Sequence, residues 1–175
     1  MTIPDADAPE ETVWSGKWIT TKRRGRWEYV SRARGIKAAV ILALDAGDVL
    51  LVEQFRVPLG RVCLELPAGL IGDDHDGEDP LLAAKRELEE ETGYAAAEWD
   101  DLGEFFSSPG MVSESFRMIR ARRLTRVSEG GGVPGENITV HRVPLAGVAD
   151  FIAARRAEGI AVDAKLLLLL AGSIV

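Results

Sequence analysis

Between residues 38 and 66 three apolar runs, AAVILAL, VLLVEQ and VCLEL, are separated only by DAGD and a PLG turn. Connectors that short and that rich in turn residues make the runs consecutive strands, and their composition places them in the core. A loop rich in glycine and aspartate, AGLIGDDHDGED, follows. It leads into a helix predicted from Pro80 to Thr92: Asp79 can cap it, Pro80 suits its first turn and Gly93 its left-handed stop. Further strands are expected at residues 99–105, 115–121 and 137–143, and two closing helices at 144–157 and 163–171. Upstream, residues 14–19 and 27–30 flank the basic turn KRRGR and read as a hairpin. No internal repeat is present, and strands mixed with helices predict an α/β sandwich with a mixed sheet.

The length, 175 residues, suits one domain with a real core. With 28 acidic and 21 basic residues the net charge is −7, which argues against a general nucleic-acid or anionic-membrane surface. The single cysteine, Cys63, lies in an apolar run and reads as a packing residue, in keeping with a reducing cytoplasm. The opening MTIPDADAPEE reads as a disordered tail to residue 12 and not as a signal peptide. The closing LLLLLAGSIV is far short of the roughly 20 residues that span a bilayer, so a buried helix is expected there.

The helix at 80–92 carries Glu87, Glu89, Glu90 and Glu91. At about 100° per residue, Glu87, Glu90 and Glu91 share one arc while Glu89 points to the far side. Leu81, Ala84 and Leu88 make an adjoining apolar stripe that would press the helix onto the sheet. Three carboxylates at the edge of such a stripe suit a hard divalent cation, which takes oxygen ligands, keeps waters and bridges to phosphates. Taken alone, the run reads first as a solvated acidic face.

The surroundings decide between these. Gly72 to Tyr94 reads G-x5-E-x7-R-E-L-x-E-E-x-G-Y, which resembles the signature of the Nudix hydrolases at all nine specified positions. That resemblance implies an α/β/α sandwich in which a loop–helix–loop binds Mg²⁺ or Mn²⁺ and hydrolyses a nucleoside diphosphate linked to another group. By the same resemblance Glu87, Glu90 and Glu91 are metal-binding carboxylates, Glu78 and Arg86 an ion pair bracing the loop, and the Ala68 carbonyl a further ligand. One departure stands out. The string Leu66-Pro67-Ala68-Gly69 ends eight residues before Glu78 instead of five, which reads as a three-residue insertion with Gly69 as the structural glycine and Gly72 a chance match. His75, among Asp73, Asp74 and Asp76, reads as a solvated loop tip rather than a second metal site.

Outside the signature the chain resembles the ADP-ribose and ADP-sugar pyrophosphatase branch from Lys17 onward. The strings are VEQFRVPLGRVCLELPAGLI, Pro109 fifteen positions beyond Tyr94, KW at 17–18, RWEYVSR at 26–32 and AVDAKLLLLL. The resemblance implies that Arg56 contacts substrate. It also implies that Trp18 and Trp27 sandwich adenine, one from each subunit of a homodimer with exchanged N-terminal strands (residues 13–36, before a catalytic domain at 37–175).

Independently, eight basic residues and only Glu28 among the acidic ones lie from Lys17 to Lys37, a local positive field with flat indole faces for a base. Core packing of the tryptophans, a surface role for Arg56 and RNA binding use the same residues. The loop SEGGGVPGEN, mobile by composition, offers Glu129 and Glu136 as a base for activating water; Glu136, directly before the strand at 137–143, is the choice. The expected activity is Mg²⁺-dependent hydrolysis of ADP-ribose or a related ADP-sugar. The alternatives are another nucleotide sugar such as GDP-mannose, or a non-catalytic ADP-ribose sensor.

Overall fold

The computed structural model describes residues 3–72 and 77–174, so the expectations about Asp73, Asp74, His75 and Asp76 lie outside the described residues. Cross-strand charge pairing organises the first three strands, β1 (Glu10–Ser15), β2 (Ile19–Arg24) and β3 (Trp27–Arg32), into an antiparallel sheet. Lys22 Nζ lies 2.7 Å from Glu10, Arg23 2.7 Å from Glu11 and Arg24 3.1 Å from Glu10, while the Tyr29 hydroxyl also donates to Glu10. These pairs correct two expectations. The tail read as disordered to residue 12 gives way to a strand at Glu10, because its carboxylates have cations opposite. The KRRGR segment is mostly strand for the same reason; only the reversal at Gly25, with φ 55°, and Arg26 is turn.

The main sheet begins with β4 (Lys37–Asp45), β5 (Asp48–Arg56), β6 (Arg61–Glu65) and β7 (Ala68–Ile71), and α1 (Pro80–Thr92) then crosses it. Next come β8 (Tyr94–Phe106), β9 (Ser115–Arg126), β10 (Thr139–Pro144), α2 (Val148–Ala157), β11 (Ala161–Val162) and α3 (Leu167–Ile174). The order is β11-β6-β5-β4-β9-β8, with β10 paired to β5 and β7 to β4. Two pairs, β4 with β9 and β11 with β6, are parallel and the remainder antiparallel, so the sheet is mixed.

Alternation along β4 sets the layers. Ala39, Ile41 and Ala43 pack with Ala83, Ala84 and Leu88 of α1, where alanine on both sides lets helix and sheet approach closely. Val40 and Leu42 belong to the other core cluster, with Val148 and Ile152 of α2 and Leu166. The result is the α/β/α sandwich expected. None of the described helices is long and apolar enough to cross a membrane.

One topological detail positions the site. β4 and β5 pair only at Leu44–Val49 and Asp45–Asp48, then diverge; β7 takes up β4 at residues 37–40, and β6 takes up β5 at residues 52–56. The opening between the splayed strands is floored by side chains of both.

Candidate active site

Local signals fix α1 over that opening. The Asp79 carboxylate accepts from Leu81 N–H at 2.8 Å and Leu82 N–H at 3.3 Å, and Gly93 ends the helix at φ 77°. The last carbonyls are not left to water. Gly131 N–H donates to Glu91 O and Gly132 N–H to Glu90 O, each at 2.9 Å, while Val127 N–H donates to Gly93 O at 2.8 Å. A Cβ on Gly130 would overlap the backbone of Thr92 and Gly93. The glycines of SEGGGVPGEN therefore serve close approach to the helix end; the loop expected to be mobile by composition is stapled there, and its hydrogen bonds are the reason.

A cavity of about 370 Å³ lies where the strands splay, lined among others by Glu87, Glu91, Glu136, Ala68, Gly69 and Arg56. Glu91 is buried, and its Oε2 accepts from Ala68 N–H at 3.0 Å. Burial pushes its carboxyl up to about 8, with the negative charges of Glu87 and Glu136 adding to the rise. Glu87 packs against bare backbone, since a Cβ on Gly69 would overlap its carboxylate. Gly69 is thus required by packing. Gly72 has a structural role too: at φ 83° its N–H donates to Glu78 at 3.1 Å.

Arg86 gathers the helix carboxylates, with Glu78 at 3.7 Å, Glu87 at 2.8 Å and Glu90 at 3.3 Å, and its Nη2 donates to Leu70 O at 3.4 Å. Glu87 and Glu90 thus meet at one nitrogen, Nη1 of Arg86. Glu90 also lines a cleft with Glu89 and Glu129, apart from the cavity lined by Glu87 and Glu91. Glu136 does enter the cavity, its Oε2 accepting from Val133 N–H at 3.0 Å, whereas Glu129 lies outside it and pairs with Arg126 at 3.1 Å.

Cations line the cavity too, together with the carboxylates Glu65 and Glu114. Arg56 is held in a fork by Glu65, Nε and Nη2 each donating at 2.7 Å, and that pairing holds its guanidinium above the usual range. Arg32, paired to Glu114 at 2.6 Å, and Lys165, paired to Asp163 at 2.6 Å, line the same cavity. Sequence reading gave neither a role. Both stand in strings that carry the resemblance, yet their partnership with the glutamates arises only from the fold.

The tryptophans stand apart. Trp27 pairs with Arg24 at the far end of β3 and lines a groove of about 430 Å³ with Tyr29 and Pro109. Trp18 sits at the opposite end of the sheet, its carbonyl accepting from Ala33 N–H, with Lys17 Nζ 4.5 Å above the indole. Within one chain they do not face each other across a base.

Among the described residues no three His, Cys, Asp or Glu side chains are gathered closely enough to hold a metal ion. The donor set nonetheless fits a hard cation. Glu87 and Glu91 converge on one cavity, burial and the neighbouring carboxylates push Glu91 toward its neutral form, which a cation would reverse, and the 41% exposed Glu90 can swing free of Arg86.

A family model described as NUDIX domain matches residues 33–161. An ADP-ribose pyrophosphatase of Bacillus subtilis is 41% identical over 91 residues, 52% of this chain and 48% of that protein. A GDP-mannose pyrophosphatase of Cronobacter sakazakii is 35% identical over 147 residues, 78% of this chain and 72% of that one. Against the first of these relatives, as against a methanol dehydrogenase activator of Bacillus methanolicus, the match spans about half the relative's length. A crystal structure of an ADP compounds hydrolase superposes with a TM-score of 0.69, covering 95% of this chain and 94% of the other; at 23% identity that likeness speaks for the fold alone.

Proposed function

The chain belongs to the NUDIX domain family, and on that premise we propose that it hydrolyses the diphosphate of ADP-ribose or a related ADP-sugar to AMP and a sugar phosphate. One observation carries the reading: Glu87, Glu91 and Glu136 line one cavity together with Arg32, Arg56 and Lys165. The cations suit the diphosphate, and the carboxylates suit a hard metal and a base. Relatives named for ADP-ribose and ADP-sugar support the choice of nucleotide.

Glu87, Glu91 and, after rotation, Glu90 would hold Mg²⁺ or Mn²⁺, with the Ala68 carbonyl as a further ligand. Bound there, the ion would neutralise the diphosphate and lower the pKa of a water. The protein's own residues do the positioning. Arg56, locked by Glu65, presents its guanidinium to a phosphate without paying to order a long side chain. Arg86, between Glu78 and the Leu70 carbonyl, ties the loop before α1 to the helix and steadies Glu87. Glu136, its other partner a backbone N–H, takes the proton of the attacking water.

The separation of Trp18 from Trp27 within one chain suits an adenine clamp completed by a second copy, hence a homodimer built through residues 13–36. A buried Cys63 thiol, pushed up to about 12 by burial, suits a reducing cytoplasm, which cell fractionation checks.

The test is a panel of nucleotide diphosphate compounds incubated with Mg²⁺, with products separated by chromatography. Turnover of ADP-ribose with GDP-mannose inert supports the reading. Preference for GDP-mannose supports the second reading, which the GDP-mannose pyrophosphatase match over 78% of the chain favours. Binding of ADP-ribose without turnover would instead identify a sensor.

A further inference from the structure

Charge pairing around the N-terminal sheet leaves one exception. From Lys17 to Lys37 the chain carries eight basic residues. Six of them face a carboxylate: Lys22 and Arg24 share Glu10, while Arg23 takes Glu11, Arg26 takes Asp5, Arg32 takes Glu114 and Lys37 takes Glu104. Lys17 and Arg34 have no carboxylate partner among the described residues, and both stand beside the same indole. Lys17 Nζ lies 4.5 Å from the Trp18 ring centroid and the guanidinium carbon of Arg34 5.5 Å from it. All three residues are exposed.

The backbone bends to make this cluster. Ala33 N–H donates to the Trp18 carbonyl at 2.9 Å, and Arg34 follows in the left-handed region, at φ 58° and ψ 16°. That conformation favours glycine, so an arginine there costs stability while bringing its charge to the indole. A cation–π contact needs one cation; a second, held against backbone strain and mutual repulsion, calls for an anion between them. The diphosphate has cations of its own in the cavity, Arg32, Arg56 and Lys165, and only Ala33 separates Arg32 from Arg34 in the chain. An indole stacks a base, and two unpaired cations beside it suit a phosphate carried by the ribose attached to that base.

We propose that Lys17, Trp18 and Arg34 form a site for a further phosphate on the ribose of the nucleotide half, which extends the substrate class to ADP compounds phosphorylated on the adenosine ribose. The inference rests on the reading of Trp18 above as a platform for adenine, but its test does not depend on turnover. AMP, adenosine 2′,5′-bisphosphate and adenosine 3′,5′-bisphosphate, which separate the two ribose hydroxyls, are each titrated calorimetrically in Mg²⁺ into the wild-type chain, Arg34→Gly, and Arg34→Gly combined with Lys17→Gln. The expected result is one bisphosphate binding the wild type about tenfold tighter than AMP, less of that advantage in Arg34→Gly and none in the double variant, with AMP affinity unchanged within about twofold throughout. Because the backbone at Arg34 suits glycine, the Tm of Arg34→Gly should be unchanged or higher. Bisphosphates bound no tighter than AMP by the wild type, or an advantage kept by the double variant, overturns the site. So does a lowered Tm in Arg34→Gly with the advantage intact, which would assign the cations to holding the indole in place. A bisphosphate advantage that the double variant loses, in a protein that cleaves no diphosphate, would overturn the function and leave the site standing.

Discussion

Glu91 is the residue at which the metal-free protein should show most plainly what its site lacks. Burial raises its carboxyl from 4.5 to about 8, so between those values the folded chain holds a proton that the unfolded chain has released. The stabilising proton is fully present below 4.5 and is lost as pH rises through about 8, so the metal-free fold weakens over that window. At about 1.4 kcal/mol per unit, the gap corresponds to at most about 5 kcal/mol from this one group.

Glu91→Gln keeps an oxygen for the Ala68 N–H and removes the charge. Thermal unfolding followed by circular dichroism in a chelator should therefore give similar Tm values for variant and wild type near pH 5. Near pH 9 the variant should unfold about 10 °C higher, at roughly 2–4 °C per kcal/mol for a chain of this size. Adding Mg²⁺ near pH 9 should raise the wild-type Tm and leave the variant almost unmoved, because the cation supplies the missing positive charge. A Tm difference that is the same at both pH values would refute the argument.

Turnover should fall about 10²–10⁴-fold in Glu136→Gln, measured under saturating substrate, whereas the exposed Glu129→Gln stays within about threefold of wild type. Glu90→Gln should cost about a hundredfold and Glu89→Gln little, because only Glu90 leaves Arg86 to join the metal; equal losses would contradict that movement. Gly130→Ala should destabilise the fold by about 2–4 kcal/mol in urea titration, since its Cβ meets the backbone of Thr92 and Gly93 at a φ of 67°. Trp27→Ala should raise KM more than it lowers kcat, and sedimentation should show a dimer; a fully active monomer would remove the two-chain clamp.

The features legible in the sequence were those set by neighbours along the chain. Asp79, Pro80 and Gly93 bound α1 at the residues read from capping chemistry alone. Glu87 and Glu91 lie on one side of it because helical period fixes them, and Arg56 and Glu136 reach the same cavity. What escaped depends on partners distant in sequence. β7 was read as loop because AGLI opens a segment rich in glycine and aspartate; it is a strand only because β5 leaves β4 early and exposes an edge at residues 37–40. Arg32 and Glu114 meet across 82 residues, a pairing no spacing rule anticipates. The SEGGGVPGEN loop misled for a related reason: glycine reads as freedom, but Gly130, Gly131 and Gly132 spend it on reaching the carbonyls at the end of α1.

The central claim is that this cavity breaks a diphosphate joining AMP to a sugar phosphate. Phosphorus NMR of ADP-ribose incubated with the wild-type protein and Mg²⁺ observes that bond directly. The account predicts that the two diphosphate resonances disappear together and are replaced by two phosphomonoester resonances, one at the position of AMP and one at that of ribose 5-phosphate, with no change when a chelator replaces the metal. Diphosphate resonances that persist through prolonged incubation at high protein concentration, in Mg²⁺ or Mn²⁺, would contradict it.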